Sequence, residues 1–260
     1  MLALDRGKSA SSDAVIEDLR ISALPLAETA AFICENAGSE AAQTVFTLNL
    51  DHVVKMRQFA TFRAAYQRAG LITADGFPIV LACRLQGKRT VRVAGSDLIA
   101  PISAEAASCG KSVYFFGSSL QVLMKASRLL LERNPGLTIG GIFAPPQGFD
   151  PTSEDARRCI AAIGNSGAHL CFVALGAPKQ ELFADHGKRV LPNVSFVCIG
   201  AGLDFIAGTQ VRAPLWMQRW GLEWLWRAAS DPQRLLYRYL LCIGALPGIL
   251  ARAALVPRRP

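Results

Sequence analysis

A chain of 260 residues, half of them apolar, can bury a full core, either as one large domain or as a domain with a small appendage; intrinsic disorder is excluded. The formal charge of +8 is unevenly placed: residues 212–260 carry eight arginines against Glu223 and Asp231, a net of +6, and leave the body close to neutral. Such a segment suits a phosphorylated ligand, an acidic lipid surface or nucleic acid, but its arginines alternate with apolar residues, which argues against nucleic acid and for a membrane surface.

In chain order, residues 1–20 are polar and mixed in charge (Asp5, Arg6, Lys8, Asp13) and read as a loose leader without a signal-peptide core. Apolar spacing at Leu26, Ala30, Ile33 and Cys34 predicts a helix over 26–37. A strand over 44–48, a helix over 51–69 stopped by Gly70, a short strand over 71–73 and a helix over 78–86 follow. From residue 112 the alternation is regular: strand 112–116, helix 119–133, strand 137–143, helix 153–165, strand 170–175, helix 179–189 and strand 194–199. Beyond Pro214 the pattern turns helical. The longest uncharged apolar run, 239–251, contains Gly244, Pro247 and Gly248; it is expected to lie in an interface, since crossing takes about 20 residues. Repeated strand–glycine–helix units predict an α/β fold, a Rossmann-like, mostly parallel sheet flanked by helices. The core is expected over 21–211, with a helical membrane-binding appendage over 212–260.

Ligands of such sheets bind beyond the carboxyl ends of the strands, which places Gly117, Gly176 and Gly200 along one rim. Asp75 at a strand end before Gly76 suits a general base, or an Asx turn. Thr47 and Asn49 share one side of their strand and can bond a hydroxyl-rich ligand; Asn49 equally suits a helix cap. Arg92 and Asp97 flank the turn at Gly95, where Asp97 either serves a ligand or caps a helix. Gly117-Ser118-Ser119 and Gly176-Ala-Pro178 each open a helix whose N–H groups favour a diphosphate. Gln180 and Glu181 bind a base or ribose, or decorate a first turn. Asp204 and the tail arginines 212, 227, 234 and 238 complete the candidate set, and Trp216, Trp220, Trp224 and Trp226 either pack a terminal helix or anchor it in a headgroup layer.

Several motifs fail. Cys109-Gly-Lys-Ser112 lacks the first glycine of a P-loop, and Gly200-Ala-Gly202 has Phe205 where a dinucleotide fingerprint needs glycine. There is no Asp-x-Asp, so arginines and helix ends, not a metal, are expected to neutralise a diphosphate. Seven scattered cysteines and three histidines lack ligand spacing and read as structural; no metal and no cofactor are expected.

Together, Thr47-Leu-Asn49, Ala74-Asp75-Gly76, the Arg92–Leu98 block, Gly176–Glu181 and the Gly200–Tyr239 block resemble the WecG/TagA/CpsF family of bacterial glycosyltransferases (glycosyltransferase family 26), over about 21–239. The resemblance implies inverting, metal-independent transfer of a sugar (N-acetylmannosamine, N-acetylmannosaminuronic acid or glucose) from a UDP-sugar to a polyprenyl-diphosphate-linked saccharide in surface or exopolysaccharide synthesis. It implies a peripheral enzyme on the cytoplasmic face of the plasma membrane. It makes Asp75 the base, sets Thr47, Asn49 and Arg92 near the sugars and Gln180 near the nucleotide, and has Arg227, Arg234 and Arg238 close over the diphosphate. Asp51 competes as a local acid, while Ala177 and Phe77-Pro78 depart from the family's pattern. The rival readings are a nucleotide-binding oxidoreductase and a non-catalytic membrane module; homo-oligomerisation is left open.

Overall fold

The structure, a computed structural model, describes residues 13–214, 216, 217, 220, 223–230 and 232–256, with backbone alone for 227–230 and 232–237. The chain starts with an antiparallel hairpin, β1 (Ala14–Ile16) and β2 (Leu19–Ile21), whose residues Ala14, Ile16, Leu19 and Ile21 alternate into the core. The loose leader therefore does not extend over 14–20. Next come α1 (Leu26–Asn36), β3 (Thr44–Leu48), α2 (Leu50–Gln58), α3 (Ala60–Gln67), β4 (Leu71–Ala74) and α4 (Phe77–Leu85). The helix expected over 51–69 is thus two helices, parted where Phe59 takes an extended backbone (φ −122°, ψ 105°).

Residues 95–108, where the sequence offered no more than Asp97 as a helix cap, form α5 (Gly95–Ser108); its N-cap is Ala94, Asp97 lies in its first turn, and it carries Pro101 inside it. The rest follows the predicted alternation: β5 (Ser112–Gly117), α6 (Leu120–Arg133), β6 (Thr138–Phe143), α7 (Glu154–Asn165), β7 (Leu170–Ala174), α8 (Lys179–Val190), β8 (Ser195–Cys198) and α9 (Gly202–Ala207). β3, β7 and β8 are buried along their whole length, because helices cover both faces of the sheet.

All six long strands are parallel, in the order β4-β3-β8-β7-β5-β6. Alternate residues feed two cores. Phe46, Phe116, Val173 and Phe196 face α2, α3, α4, α7 and α8; Val45, Phe115, Phe172 and Val197 face α1, α5, α6 and α9. On the first side Phe183 of α8 stacks on Phe116 with ring centroids 4.1 Å apart. The neighbours β3 and β8 lead into helices on opposite faces, α2 and α9, and β7 and β5 likewise into α8 and α6. Such reversals open a crevice at the carboxyl edge of the sheet.

The tail forms α10 (Glu223–Ser230) and α11 (Pro232–Leu255). α11 stays continuous through Gly244, Pro247 and Gly248, all on its exposed side, so these residues do not interrupt the apolar run as expected. By length and composition Arg238–Leu255 is enough to cross a membrane (mean hydropathy 1.4, 17% buried). Its inner side, with Ile249 and Ala253, joins the core cluster of α2 and α4.

Candidate active site

A cavity of about 950 Å³ lies at the carboxyl ends of β4, β3, β8 and β7 and is walled on the outside by α10 and α11. Its size is that of a substrate pocket. β3 and β4 run in register, Leu48 opposite Ala74, so Asn49 and Asp75 emerge side by side, with the Asp75 N–H donating to the Leu48 carbonyl at 2.8 Å. Gly76 has φ +93°, a turn that takes the chain at once into α4 and that glycine adopts without strain. Asp75 lines the cavity and is a quarter exposed.

Asn49 does both things its sequence allowed. Its side chain accepts from the His52 N–H at 3.0 Å, capping α2, and it lines the cavity. Thr47 lines it too; its carbonyl accepts from Tyr66 Oη at 3.1 Å and lies 2.9 Å from His52 Nδ1. Burial pushes the His52 pKa down to about 4, so this histidine is a neutral brace.

One wall is an alternating charge cluster. The Arg92 guanidinium lies 2.9 Å from Asp97, 3.7 Å from Asp75 and 3.9 Å from Glu223. Arg212 also engages Asp97, sits 3.9 Å from Glu223 and lies over the Phe205 ring. Burial opposes the Arg212 charge, but Asp97, Glu223 and Asp75 outweigh it and raise its pKa. Arg212 Nη2 is buried with no hydrogen-bond partner among the described residues. On the facing wall Lys55 bonds Asp51 at 2.7 Å and the Ala177 carbonyl at 3.1 Å, and Arg238 of α11 reaches Asp51 at 3.5 Å. Asp51 is thus held between two cations, and Asp75 lies 3.7 Å from Arg92.

Helices α4 at Gly76–Pro78, α5 at Ala94–Ser96 and α8 at Gly176–Gln180, which follows a cis Ala177–Pro178 peptide, open onto the cavity without a capping side chain among the described residues, as does the short α9 at Ala201. Their first N–H groups and positive dipole ends favour an anion. A Cβ on Gly176 or Gly200 would meet nothing within 4 Å, so both leave open floor for a ligand. Gly117 does not line the cavity: a Cβ there would lie 2.3 Å from the Ala174 carbonyl oxygen, so this glycine lets β5 approach β7, and Ser119 caps the α6 N-terminus.

The Gly200 N–H donates to Gln180 Oε1 at 3.0 Å, and Gln180 Nε2 donates to Glu181 Oε1 at 2.7 Å. Gln180 lines the cavity; Glu181 does not, being fully buried behind it, and burial pushes its pKa up to about 7. Asp204 lines the cavity and accepts from Ser118 Oγ at 3.1 Å. The side chains of Arg227 and Arg234 lie outside the described residues. Sequence reasoning gave no role to Glu223 or Lys55; the signals available were an acid within an arginine-rich segment for the first and a cation one turn from Asp51 for the second.

Two comparisons bear on this geometry. The chain is 30% identical over 200 residues, 76% of its length and 75% of the relative's, to the N-acetylglucosaminyldiphosphoundecaprenol N-acetyl-beta-D-mannosaminyltransferase of Bacillus spizizenii. The Glycosyl transferase WecG/TagA/CpsF family matches residues 14–259, a span that takes in the first hairpin and α11 as well as every strand at the cavity. The parallel sheet, its carboxyl-edge cavity and this full-length match together establish that the chain is a glycosyltransferase of the WecG/TagA/CpsF family.

Proposed function

We propose that this enzyme moves an N-acetylhexosamine of the mannosamine type from a UDP donor to N-acetylglucosamine carried on a polyprenyl diphosphate, with inversion and with Asp75 as the base. The activity named for the Bacillus spizizenii relative supports the sugars. The observation that carries the mechanism is Asp75 on the cavity floor, beside Arg92 and close to the uncapped ends of α4, α5 and α8.

In this reading an Asp75 carboxylate oxygen takes the proton of the acceptor hydroxyl as the oxygen of that hydroxyl bonds to the anomeric carbon. The bond from that carbon to the donor phosphate oxygen breaks on the opposite face, UDP leaves, and Asp75 ends as the acid. The transition state is oxocarbenium-like, as in glycoside cleavage. Charge growing on the diphosphate is met by Arg212, whose Nη2 has no hydrogen-bond partner among the described residues, by Arg238 and by the helix N-termini. This set supplies cationic stabilisation without a metal. Asp51, tied to Lys55 and Arg238, is the poorer base.

The lipid tail of the acceptor fits the apolar outer wall. Trp216, Trp220, Trp224, Leu240, Leu241 and Ile243 are exposed on the tail segment, next to its arginines, a mixture that suits a headgroup layer. In this reading the enzyme rests on the cytoplasmic face of the membrane instead of threading it, a placement supported by the packing of one side of α11 on the core. UDP release with a short-chain lipid acceptor tests the base. Asp75→Asn should lower transfer by about 10²–10⁴-fold while leaving UDP binding intact; equal turnover by both proteins refutes the assignment.

A further inference from the structure

Gln180 is held at both ends of its amide. Oε1 accepts from the Gly200 N–H at 3.0 Å, and one Nε2 proton goes to Glu181 Oε1 at 2.7 Å. That leaves the second Nε2 proton for a ligand in the cavity that Gln180 lines. Glu181 itself is fully enclosed and touches no cavity surface, and its Oε2 has no hydrogen-bond partner among the described residues. A carboxyl group in such a place is costly to keep, and an apolar side chain of similar length would fill the space without that cost. Its one hydrogen bond from a side chain among the described residues is the one from Gln180.

We infer that Glu181 is a positioning residue for donor binding: it locks the Gln180 amide so that this side chain donates a hydrogen bond to an acceptor oxygen of the nucleotide lying over Gly176 and Gly200. An amide can turn over with little change of shape, exchanging its donor and acceptor ends. The Gly200 N–H sits in a glycine turn with φ +54° and open space beside it, a compliant partner. Glu181, on the first turn of α8 with its backbone in a helix, is the fixed partner, and its Oε1 accepts whether or not the other oxygen carries a proton. Gly176 and Gly200 leave a bare floor on either side of the amide, so a planar or ribose-like group can approach it closely.

The inference rests on the proposed UDP donor, and UDP binding by calorimetry tests it without requiring turnover. Glu181→Met, which keeps the packing and removes the acceptor, should weaken UDP binding about five- to tenfold. Gln180→Met should do the same, and the double variant should be no weaker than either single one, because Glu181 acts through Gln180. Glu181→Gln, which restores an acceptor oxygen, should recover most of the affinity. Native affinity in Glu181→Met, or additive losses in the double variant, overturns the positioning role while leaving the donor reading intact. A native protein that does not bind UDP overturns both. A variant whose thermal unfolding shows it misfolded is replaced by Glu181→Leu, read against the same cycle.

Discussion

Glu181 and His52 are both fully buried and ionisable, and burial drives them in opposite directions, the first up from 4.5 to about 7 and the second down from 6.5 to about 4. For Glu181 the folded chain holds a proton more tightly than the unfolded one. Its penalty is absent below pH 4.5, grows as pH rises and is complete above about 7, at roughly 3 kcal/mol. For His52 the folded chain prefers the neutral ring, so its contribution is whole above pH 6.5 and is lost as pH falls towards 4, by roughly the same amount. Asp51 and Lys55 of α2 act on both groups and are themselves paired, which damps their influence. Between pH 5 and 6.5 the two slopes oppose each other. Glu181→Gln removes one of them, so urea unfolding should show this variant losing about 2 kcal/mol more than the native protein between pH 7 and 5. Parallel pH profiles would contradict the buried-carboxyl account. At this scale the sequence was legible where a residue's role is local: Asn49 as cap and Asp75 at its strand end needed only their neighbours. Glu181 was misplaced because adjacent helical residues point about 100° apart, and only the orientation of α8 decides which of the two sees the cavity.

Among the elements, α5 was hidden by the residues that make it work. Gly95 reads as a turn and Pro101 as a helix breaker, yet Gly95 starts α5 because the helix end lies against β8. A Cβ there would be 2.4 Å from the Cys198 carbonyl oxygen and 3.0 Å from Ile199 Cα, both backbone atoms that cannot step aside. Gly95→Ala should therefore destabilise the fold by about 2 kcal/mol and disturb the neighbouring Gly200 turn. A loss below about 0.5 kcal/mol in urea unfolding would show that β8 yields easily. The break at Phe59 carries no glycine or proline, so periodicity ran one helix through it. The extended backbone there re-aims the chain, letting Val53 and Met56 of α2 and Phe62 and Tyr66 of α3 all reach the same core.

For the whole molecule, the tail is both a wall of the cavity and part of the core. Arg238, Tyr239 and Cys242 face the cavity, and Ile249 and Ala253 lie in the cluster under α2 and α4. Removing residues 232–260 should therefore abolish transfer and also lower the unfolding temperature, since it uncovers apolar surface. The native chain should cosediment with vesicles rich in acidic phospholipid, less so as salt rises, because arginine–headgroup attraction is screened. Equal sedimentation of the truncated chain would place the membrane contact elsewhere. Arg252 bonds Glu17 of the first hairpin, so the chain's two described ends close on each other and tie the tail to the body.

By itself the sequence determined the α/β alternation, the parallel sheet and the residues at its strand ends, because strand–glycine–helix punctuation and short continuous apolar runs are local signals. Only the tertiary structure decided that Gly117 serves strand packing and Glu181 stands behind Gln180. It alone also brought Arg92, Asp97, Arg212 and Glu223 into one cluster across more than a hundred residues of chain. Which groups meet at the carboxyl edge depends on strand order and helix rotation, and those are fixed by packing of the whole sheet, not by any stretch of chain read alone.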